Sequence, residues 1–278
     1  MSVARKLPHD RRRHFAWPLD LKRARILVTN DDGIYAPGME VMEKIAHALS
    51  RDVWVVAPEQ EQSGAGHSLT LRRPLRIREH SERRFSVDGT PTDCVLLAAN
   101  KILKDHPPDL VLSGVNRGAN LGEDVTYSGT VAAAMEATLL GFPAIAFSQV
   151  VGPGQPAKWA TAEHHAPALI RRLVKIGWPR QTLLNVNFPD AVADSVNGVM
   201  ISRQGSRKIG DQLQEGTDPW GRPYYWIGAM RSKETAKPGT DYAATDALAI
   251  SVTPVHMDMT AAKTVKTLQQ AFGQAKRK

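Results

Sequence analysis

Two adjacent carboxylates, Asp31 and Asp32, interrupt an apolar run in the segment ILVTNDDG. At a buried strand end such a pair repels and loses hydration, a cost that a bound divalent cation offsets. The same residues also suit a turn that caps a helix, because Asp and Gly favour turns for their own reasons. Two further loops carry polar groups that could complete a site. Ser63 opens SGAGHS, and residues 114–130 read GVNRGANLGEDVTYSGT. Glycines there permit close backbone approach, while Asn116 and Asn120 offer neutral oxygen ligands or amide donors. The final Tyr127-Ser128-Gly129-Thr130 opens a helix, so hydroxyls and free backbone N–H groups meet a positive dipole end, an arrangement suited to a phosphate. N-capping by Ser128 or Thr130 would explain the hydroxyls but not the Asn/Gly-rich loop before them. Gly-x-x-x-x-Gly-Lys-Ser/Thr does not occur and no Gly-x-Gly-x-x-Gly follows the first strand, so phosphate binding must use another loop design. His67 could act as an acid, although a lone histidine near a turn is more often structural or solvated.

The elements around these loops alternate. Arg25 to Thr29 is a short β-branched run of the buried parallel-strand type, and Gly38 to Ser50 places Met39, Met42, Ile45, Ala46 and Leu49 on one helical face. Asp52 to Ala57 reads as the next strand, followed by a β excursion through LTL, LRIRE and RFSVDG. Thr92 to Leu103 reads as a helix opening on a Thr cap, Asp109 to Ser113 as a strand, Gly129 to Leu140 as a helix and Pro143 to Phe147 as a strand. Trp159 to Ile176 is a further helix and Thr182 to Phe188 a further strand. This pattern predicts a Rossmann-like α/β fold, a mainly parallel sheet with helices on both faces. Ligands of such sheets collect beyond the carboxyl ends of the strands, where all three suspicious loops fall. Residues 205–241, rich in Gly, Pro, Trp and Tyr, read as a C-terminal β-hairpin arm; Trp220, Tyr224, Tyr225 and Trp226 suit packing or a subunit contact better than a ligand platform.

The chain has 278 residues, 42% hydrophobic and 23% charged, as expected of a soluble globular protein, here one main domain over 24–260 with a C-terminal helix or tail over 261–278. Its formal charge of +8 is concentrated at one end: residues 1–25 carry a net +6, leaving +2 for the other 253. Residues 1–23 therefore read as a basic, disordered extension, with a targeting or anionic-surface role as the alternative, and the nearly balanced body argues against a rival reading in which the chain binds nucleic acid through this extension. That rival predicts tight, salt-sensitive binding lost with the extension. The sequence holds no apolar run of a secretory signal and none of the ~20 residues a membrane span needs. The single cysteine, Cys94, excludes an internal disulfide or a Cys-cluster metal site; it fits a cytoplasmic location and reads as a buried small hydrophobe.

In order, ILVTNDDGIYAPGM, SGAGHSLTL, VDGTPTDCV, SGVNRGANLGEDVTYSGTVAAAMEA and SVTP closely resemble the SurE (survival protein E) family of nucleotidases, from about Ala24 to about Thr260. The resemblance implies one divalent cation, Mg²⁺ or Mn²⁺, held by Asp31, Asp32, Ser63 and Asn116, and a phosphate pocket of Asn120, Ser128, Gly129 and Thr130. It implies hydrolysis of nucleoside 5′-monophosphates, extending to 3′-monophosphates and short polyphosphate, and a homodimer or tetramer that uses the hairpin arm. Asp31 and Asp32 become the catalytic carboxylates; base, nucleophile and ligand all require an ionised group, so the role of Asp31 stays open. One departure concerns Glu59, Gln60, Glu61 and Gln62, where family members often carry basic residues; it bears on substrate preference. Haloacid-dehalogenase-like phosphatases also place an Asp after the first strand, but they need Asp-x-Asp, which NDDG lacks.

Overall fold

The computed structural model describes residues 17–206, 213–227 and 236–272. In chain order the elements are β1 (Arg25–Thr29), α1 (Pro37–His47), β2 (Asp52–Pro58), β3 (Ile77–Ser81), β4 (Arg84–Val87), α2 (Pro91–Leu97), β5 (Leu110–Arg117), α3 (Gly129–Leu139), β6 (Ala144–Gln149), α4 (Trp159–Ile176), β7 (Thr182–Phe188), β8 (Val199–Ile201), β9 (Leu213–Thr217), β10 (Pro223–Ile227), α5 (Asp241–Asp246), β11 (Ile250–His256) and α6 (Ala262–Phe272). Among these residues a nine-stranded sheet runs in the order β3-β4-β2-β1-β5-β6-β7-β11-β8. Its pairings are parallel except β3 with β4 and β7 with β11. Strand order reverses at β1, with β2 on one side and β5 on the other, so the crevice between the ends of β1 and β5 is where the fold opens a ligand site.

Alternation along β1 assigns its neighbours. Ile26 and Val28 face a core with Met39, Met42 and Ile45 of α1 and Ala166 and Ile170 of α4. Leu27 faces the opposite core with Val95 of α2 and Val131, Ala134 and Ala137 of α3. Helices therefore cover both faces of a mainly parallel sheet, as the sequence implies. Cys94 is fully buried in the second core, where burial pushes its thiol well up, consistent with an inert small hydrophobe.

Local readings differ from the structure at four places. The LTL segment forms no strand, and Leu71 is exposed. The helix expected from Thr92 begins at Pro91 and is capped by Thr90, whose hydroxyl accepts from Asp93 N–H while the Asp93 carboxylate accepts from Thr90 N–H. A π turn over Ala98–Ile102 carries it to the expected end. β5 runs on past Ser113 to Arg117, because Gly114 (φ +127°) tolerates a position where a Cβ would come 2.3 Å from Phe147 O. Residues 17–23, assigned above to the extension, pack on the body: Leu21 is buried and the Trp17 ring lies 4.6 Å from that of Trp178. The rest of the extension lies outside the described residues.

β9 and β10 form the expected antiparallel hairpin, reversed at Asp218, whose carboxylate accepts from the N–H groups of Trp220 and Arg222. Trp220, Tyr224, Tyr225 and Trp226 are all exposed on it. No helix of the described residues is long and apolar enough to cross a membrane.

Candidate active site at the carboxyl edge of the sheet

Three loops meet beyond β1, β2 and β5, held together by backbone hydrogen bonds. Asn30 Nδ2 donates to Gly33 O at 2.8 Å and closes the NDDG turn. Ile34 N–H donates to Pro58 O at 2.9 Å and Gln62 N–H to Asp31 O at 2.8 Å, pinning the turn to the segment that carries Ser63. That segment is pinned again where Gly66 N–H donates to Tyr127 O at 3.1 Å, immediately before Ser128. Arg117 N–H donates to Asp32 Oδ2 at 3.3 Å, which lays the end of β5 against the second carboxylate.

Asp31 is 4% exposed and meets the first turn of α3. The Thr130 hydroxyl donates to its Oδ1. Gly129 lies so close that a Cβ there would stand 2.7 Å from Asp31 Cβ and 3.0 Å from Oδ2. Burial pushes the Asp31 carboxyl up to about 6, the Thr130 hydroxyl opposes that rise, and the charge of Asp32 adds to it. Burial also raises Asp32, which the Arg117 N–H holds down and the charge of Glu61 pushes further up. Two carboxylates with raised pKa values at one strand end mark an electrostatic debt that a cation would relieve.

The remaining residues singled out in the sequence fall as follows. Asn116 sits on the bulge of β5: three steps from Ser113 to Asn116 oppose two from Ala146 to Ser148, and this extra residue turns the strand end towards the carboxylates. Its Nδ2 donates to Gly118 O at 3.1 Å, which leaves the amide oxygen for another partner. Ser63 is exposed, and its hydroxyl donates to Glu61 Oε1 at 2.8 Å, on the loop tethered to Asp31. Ser128 caps α3, accepting from Val131 N–H at 3.1 Å, and keeps its hydroxyl proton for a ligand. Thr130 has its hydroxyl committed to Asp31, so of the residues expected to bind phosphate it instead holds the carboxylate. His67 pairs with Glu136 of α3 at 2.9 Å, which ties the Ser63 loop to α3.

Asn120 is 6% exposed and belongs to a network that sequence reasoning missed. Its Nδ2 donates to Ser148 Oγ at 2.7 Å, its N–H to Asn187 Oδ1 at 2.9 Å, and its carbonyl accepts from Asn185 and Asn187 at 2.8 and 3.1 Å. The signal was present: in TLLNVNF, Asn185 and Asn187 are two apart and share a strand face where an apolar core would otherwise be expected. Buried polar atoms at the same sheet end, Thr29 Oγ1, Asn30 Oδ1, Ser113 Oγ, Gln149 Oε1 and Asn185 Oδ1, find no hydrogen-bond partner among the described residues. A cavity of about 920 Å³ lined by Trp17, Leu139, Trp178 and Arg180 lies elsewhere, at the amino ends of β6 and β7. It adjoins the far end of α3, away from Gly129 and Thr130, and has no part in this site.

The described residues contain no group of three His, Cys, Asp or Glu able to hold a metal ion. A cation here would therefore take two carboxylates and neutral oxygens. Asp31 and Asp32 with the amide oxygen of Asn116, which its own bond to Gly118 leaves free, would make a hard-oxygen donor set suited to Mg²⁺ or Mn²⁺ rather than to a His/Cys-bound metal.

A doubly wound α/β sheet with a carboxylate pair and a helix N-terminus at its switch point defines a class of phosphate-handling α/β proteins. A family model described as Survival protein SurE matches residues 26–211. The 5′-nucleotidase SurE of Paramagnetospirillum magneticum is 62% identical over 253 residues, 91% of this chain and 97% of that protein. The 5′-nucleotidase SurE of Rhodospirillum rubrum is 57% identical over 256 residues, 91% and 98% of the two chains. The crystal structure of the SurE protein from Aquifex aeolicus superposes with a TM-score of 0.79 at 40% identity, covering 89% of this chain and 99% of that one. This chain belongs to the SurE family.

Proposed function

We propose that this chain is a divalent-metal-dependent 5′-nucleotidase that hydrolyses nucleoside 5′-monophosphates to nucleoside and phosphate, with 3′-monophosphates and short polyphosphate as further substrates. The observation that carries this reading is the placement of buried Asp31, beside Asp32, directly against the N-terminus of α3. The 5′-nucleotidases of Paramagnetospirillum magneticum and Rhodospirillum rubrum, 62% and 57% identical, support the nucleotidase part of it.

Asp31, Asp32, Asn116 and Ser63 would hold Mg²⁺ or Mn²⁺, which when bound supplies Lewis-acid polarisation of the phosphoryl group and a more acidic water. The Ser128 hydroxyl and the Gly129 N–H receive the phosphoryl oxygens at the positive end of α3. Asn120, held by Ser148, Asn185 and Asn187, fixes the loop that leads to them. Thr130 fixes the orientation of Asp31, whose ionised carboxylate serves as ligand or takes the proton of the attacking water. In the balanced reaction a water oxygen–phosphorus bond forms and the phosphorus–ester oxygen bond breaks. The ester oxygen takes up a proton and leaves as the nucleoside hydroxyl. The exposed aromatic hairpin supports a homodimer or tetramer as the working form.

Phosphate release from a panel of nucleoside monophosphates, with Mn²⁺ or with chelator, for wild type and Asp32→Asn, tests the reading. Turnover should require the metal and collapse in the variant. Full activity of Asp32→Asn, or indifference to chelator, would remove the metal assignment.

A further inference from the structure

Asp241 is fully buried at the start of α5, and nothing in the reaction described above uses it. Its Oδ2 accepts the N–H of Gly122 at 2.8 Å; its Oδ1 accepts the N–H of Gly205 at 2.8 Å and that of Tyr242 at 2.9 Å. One carboxylate thus joins three chain segments: the loop before α3, the strand end from which the hairpin arm departs, and the helix to which the arm returns. The two roots of the arm are also tied to each other, Asp241 N–H donating to Arg203 O at 3.0 Å and Arg203 N–H to Gly239 O at 3.1 Å.

Between them the two roots grip three consecutive residues, Leu121 to Glu123, and both reach Gly122. Gln204 Nε2 donates to Gly122 O at 3.1 Å, the Ser206 hydroxyl to Glu123 Oε1 at 2.8 Å and the Tyr242 hydroxyl to Leu121 O at 2.9 Å. The fit admits no side chain at Gly122 (φ +52°), where a Cβ would meet the Tyr242 ring at 2.7 Å and Gly205 O at 3.0 Å. From the gripped residues a single 3₁₀ turn, Gly122–Thr126, leads to the cradle. At its end the N–H groups of Tyr127 and Ser128 both donate to Asp124 O at 3.0 Å, and Ser128 caps α3. No flexible spacer separates the clamp from the phosphate end of the site.

We propose that Asp241 is a positioning residue that holds the phosphate cradle, Ser128 and Gly129, in place through Gly122 from the base of the hairpin arm. This rests on the nucleotidase reading for the identity of the phosphate ligand, but the clamp itself does not. A buried carboxylate accepting three N–H groups makes strong charge-assisted bonds, and its amide replacement must turn an NH₂ towards one of those donors. The carboxylate pair has tethers outside the cradle, Gln62 N–H on Asp31 O and Arg117 N–H on the Asp32 carboxylate. Loosening the clamp should therefore weaken phosphate and spare the metal.

The test uses the full-length protein and its Asp241→Asn and Tyr242→Phe variants, with three readouts: binding of Mn²⁺ alone, competitive inhibition by inorganic phosphate with KM and kcat alongside, and amide hydrogen exchange over residues 121–130 against 26–33. In Asp241→Asn, KM and the phosphate inhibition constant should rise roughly tenfold, as the loss of one charged hydrogen bond implies. Exchange over 121–130 should quicken, while Mn²⁺ affinity and exchange over 26–33 stay at wild type. Tyr242→Phe, which removes the hydroxyl's bond to Leu121 O, should move the same readouts the same way by about two- to threefold, and it decides the matter if Asp241→Asn does not fold. Wild-type exchange over 121–130 in the folded variants, or Mn²⁺ affinity falling in parallel with phosphate affinity, would overturn the proposal. If wild type releases phosphate from no monoester, the nucleotidase reading fails by that result alone, and the exchange data still decide the clamp.

Discussion

The Thr130 hydroxyl donates to Asp31 Oδ1, which joins the carboxyl end of β1 to the first turn of α3 across 99 residues of sequence. This bond opposes the rise that burial imposes on Asp31. Thr130→Val keeps the shape and removes the donor, so the Asp31 carboxyl should rise further. A hydrogen bond to a charged group is worth about 1.5–3 kcal/mol, which moves the acid limb of the pH–activity profile up by roughly one to two pH units. Thr130→Ser restores a hydroxyl and should return the limb towards wild type. An unmoved limb in Thr130→Val would mean that the group titrating there is not Asp31.

The burial of Asp31 also makes stability depend on pH. In the folded chain this carboxyl holds its proton up to about 6, against 3.8 for an unburied aspartate. Between those values the folded state binds more protons than the unfolded state, so metal-free stability falls as pH rises through the window, and the penalty is complete above it. The full effect is of order 3 kcal/mol. Mn²⁺ binds the ionised form, so its stabilisation should be large at pH 8 and small at pH 5. Thermal melts with chelator or Mn²⁺ at the two pH values measure this; Asp31→Asn should melt higher than wild type in chelator at pH 8 and lose the response to metal. Equal metal stabilisation at both pH values would contradict the assignment.

Gly129 is in a helix, where alanine is ordinarily the better residue. Here the usual preference reverses, because the added methyl carbon would stand 2.7 Å from Asp31 Cβ. Gly129→Ala should cost about 1–3 kcal/mol of stability through overpacking and lower kcat/KM by displacing both the carboxylate and the cradle N–H. Melting temperature and steady-state kinetics together check it; a variant as stable and as active as wild type would show that α3 and β1 are not in this contact.

How much of this was legible depended on how local the cause was. β1, α1 and the whole of α4 could be read from apolar spacing, because each buries one defined face against the sheet. The extension of β5 to Arg117 could not, since Gly114 breaks the apolar run and the strand continues only because Phe147 of β6 leaves room for a glycine and nothing larger. Asp31, Asp32 and Ser128 stood out through side-chain type beside a turn or a helix start. Asp241 did not, because at the head of TDYAATD it looks like any acid in a first helical turn. Its bonds to Gly122 and Gly205, 119 and 36 residues away, exist only once the chain has folded. The Asn120 network was hidden for the same reason, its partners Asn185 and Asn187 lying 65 and 67 residues downstream.

Asn116 offers the sharpest discrimination between a metal ligand and a structural polar residue. Its amide nitrogen serves Gly118 O, and its oxygen is free on the bulged end of β5, one residue from the Arg117 N–H that holds Asp32. Asn116→Asp replaces the donor to Gly118 with a second acceptor and adds a third carboxylate beside two whose pKa values are already raised. In chelator the variant should lose about 1–3 kcal/mol, the cost of the lost bond and of the added repulsion. With Mn²⁺ the added charge becomes favourable, so the metal-induced rise in melting temperature should exceed that of wild type, while phosphate inhibition weakens because the site is more negative. Asn116→Ala should weaken Mn²⁺ without strengthening anything. These opposite signs follow only if the Asn116 oxygen faces the cation; identical Mn²⁺ titrations for wild type, Asn116→Ala and Asn116→Asp would assign the residue to the β5 bulge alone.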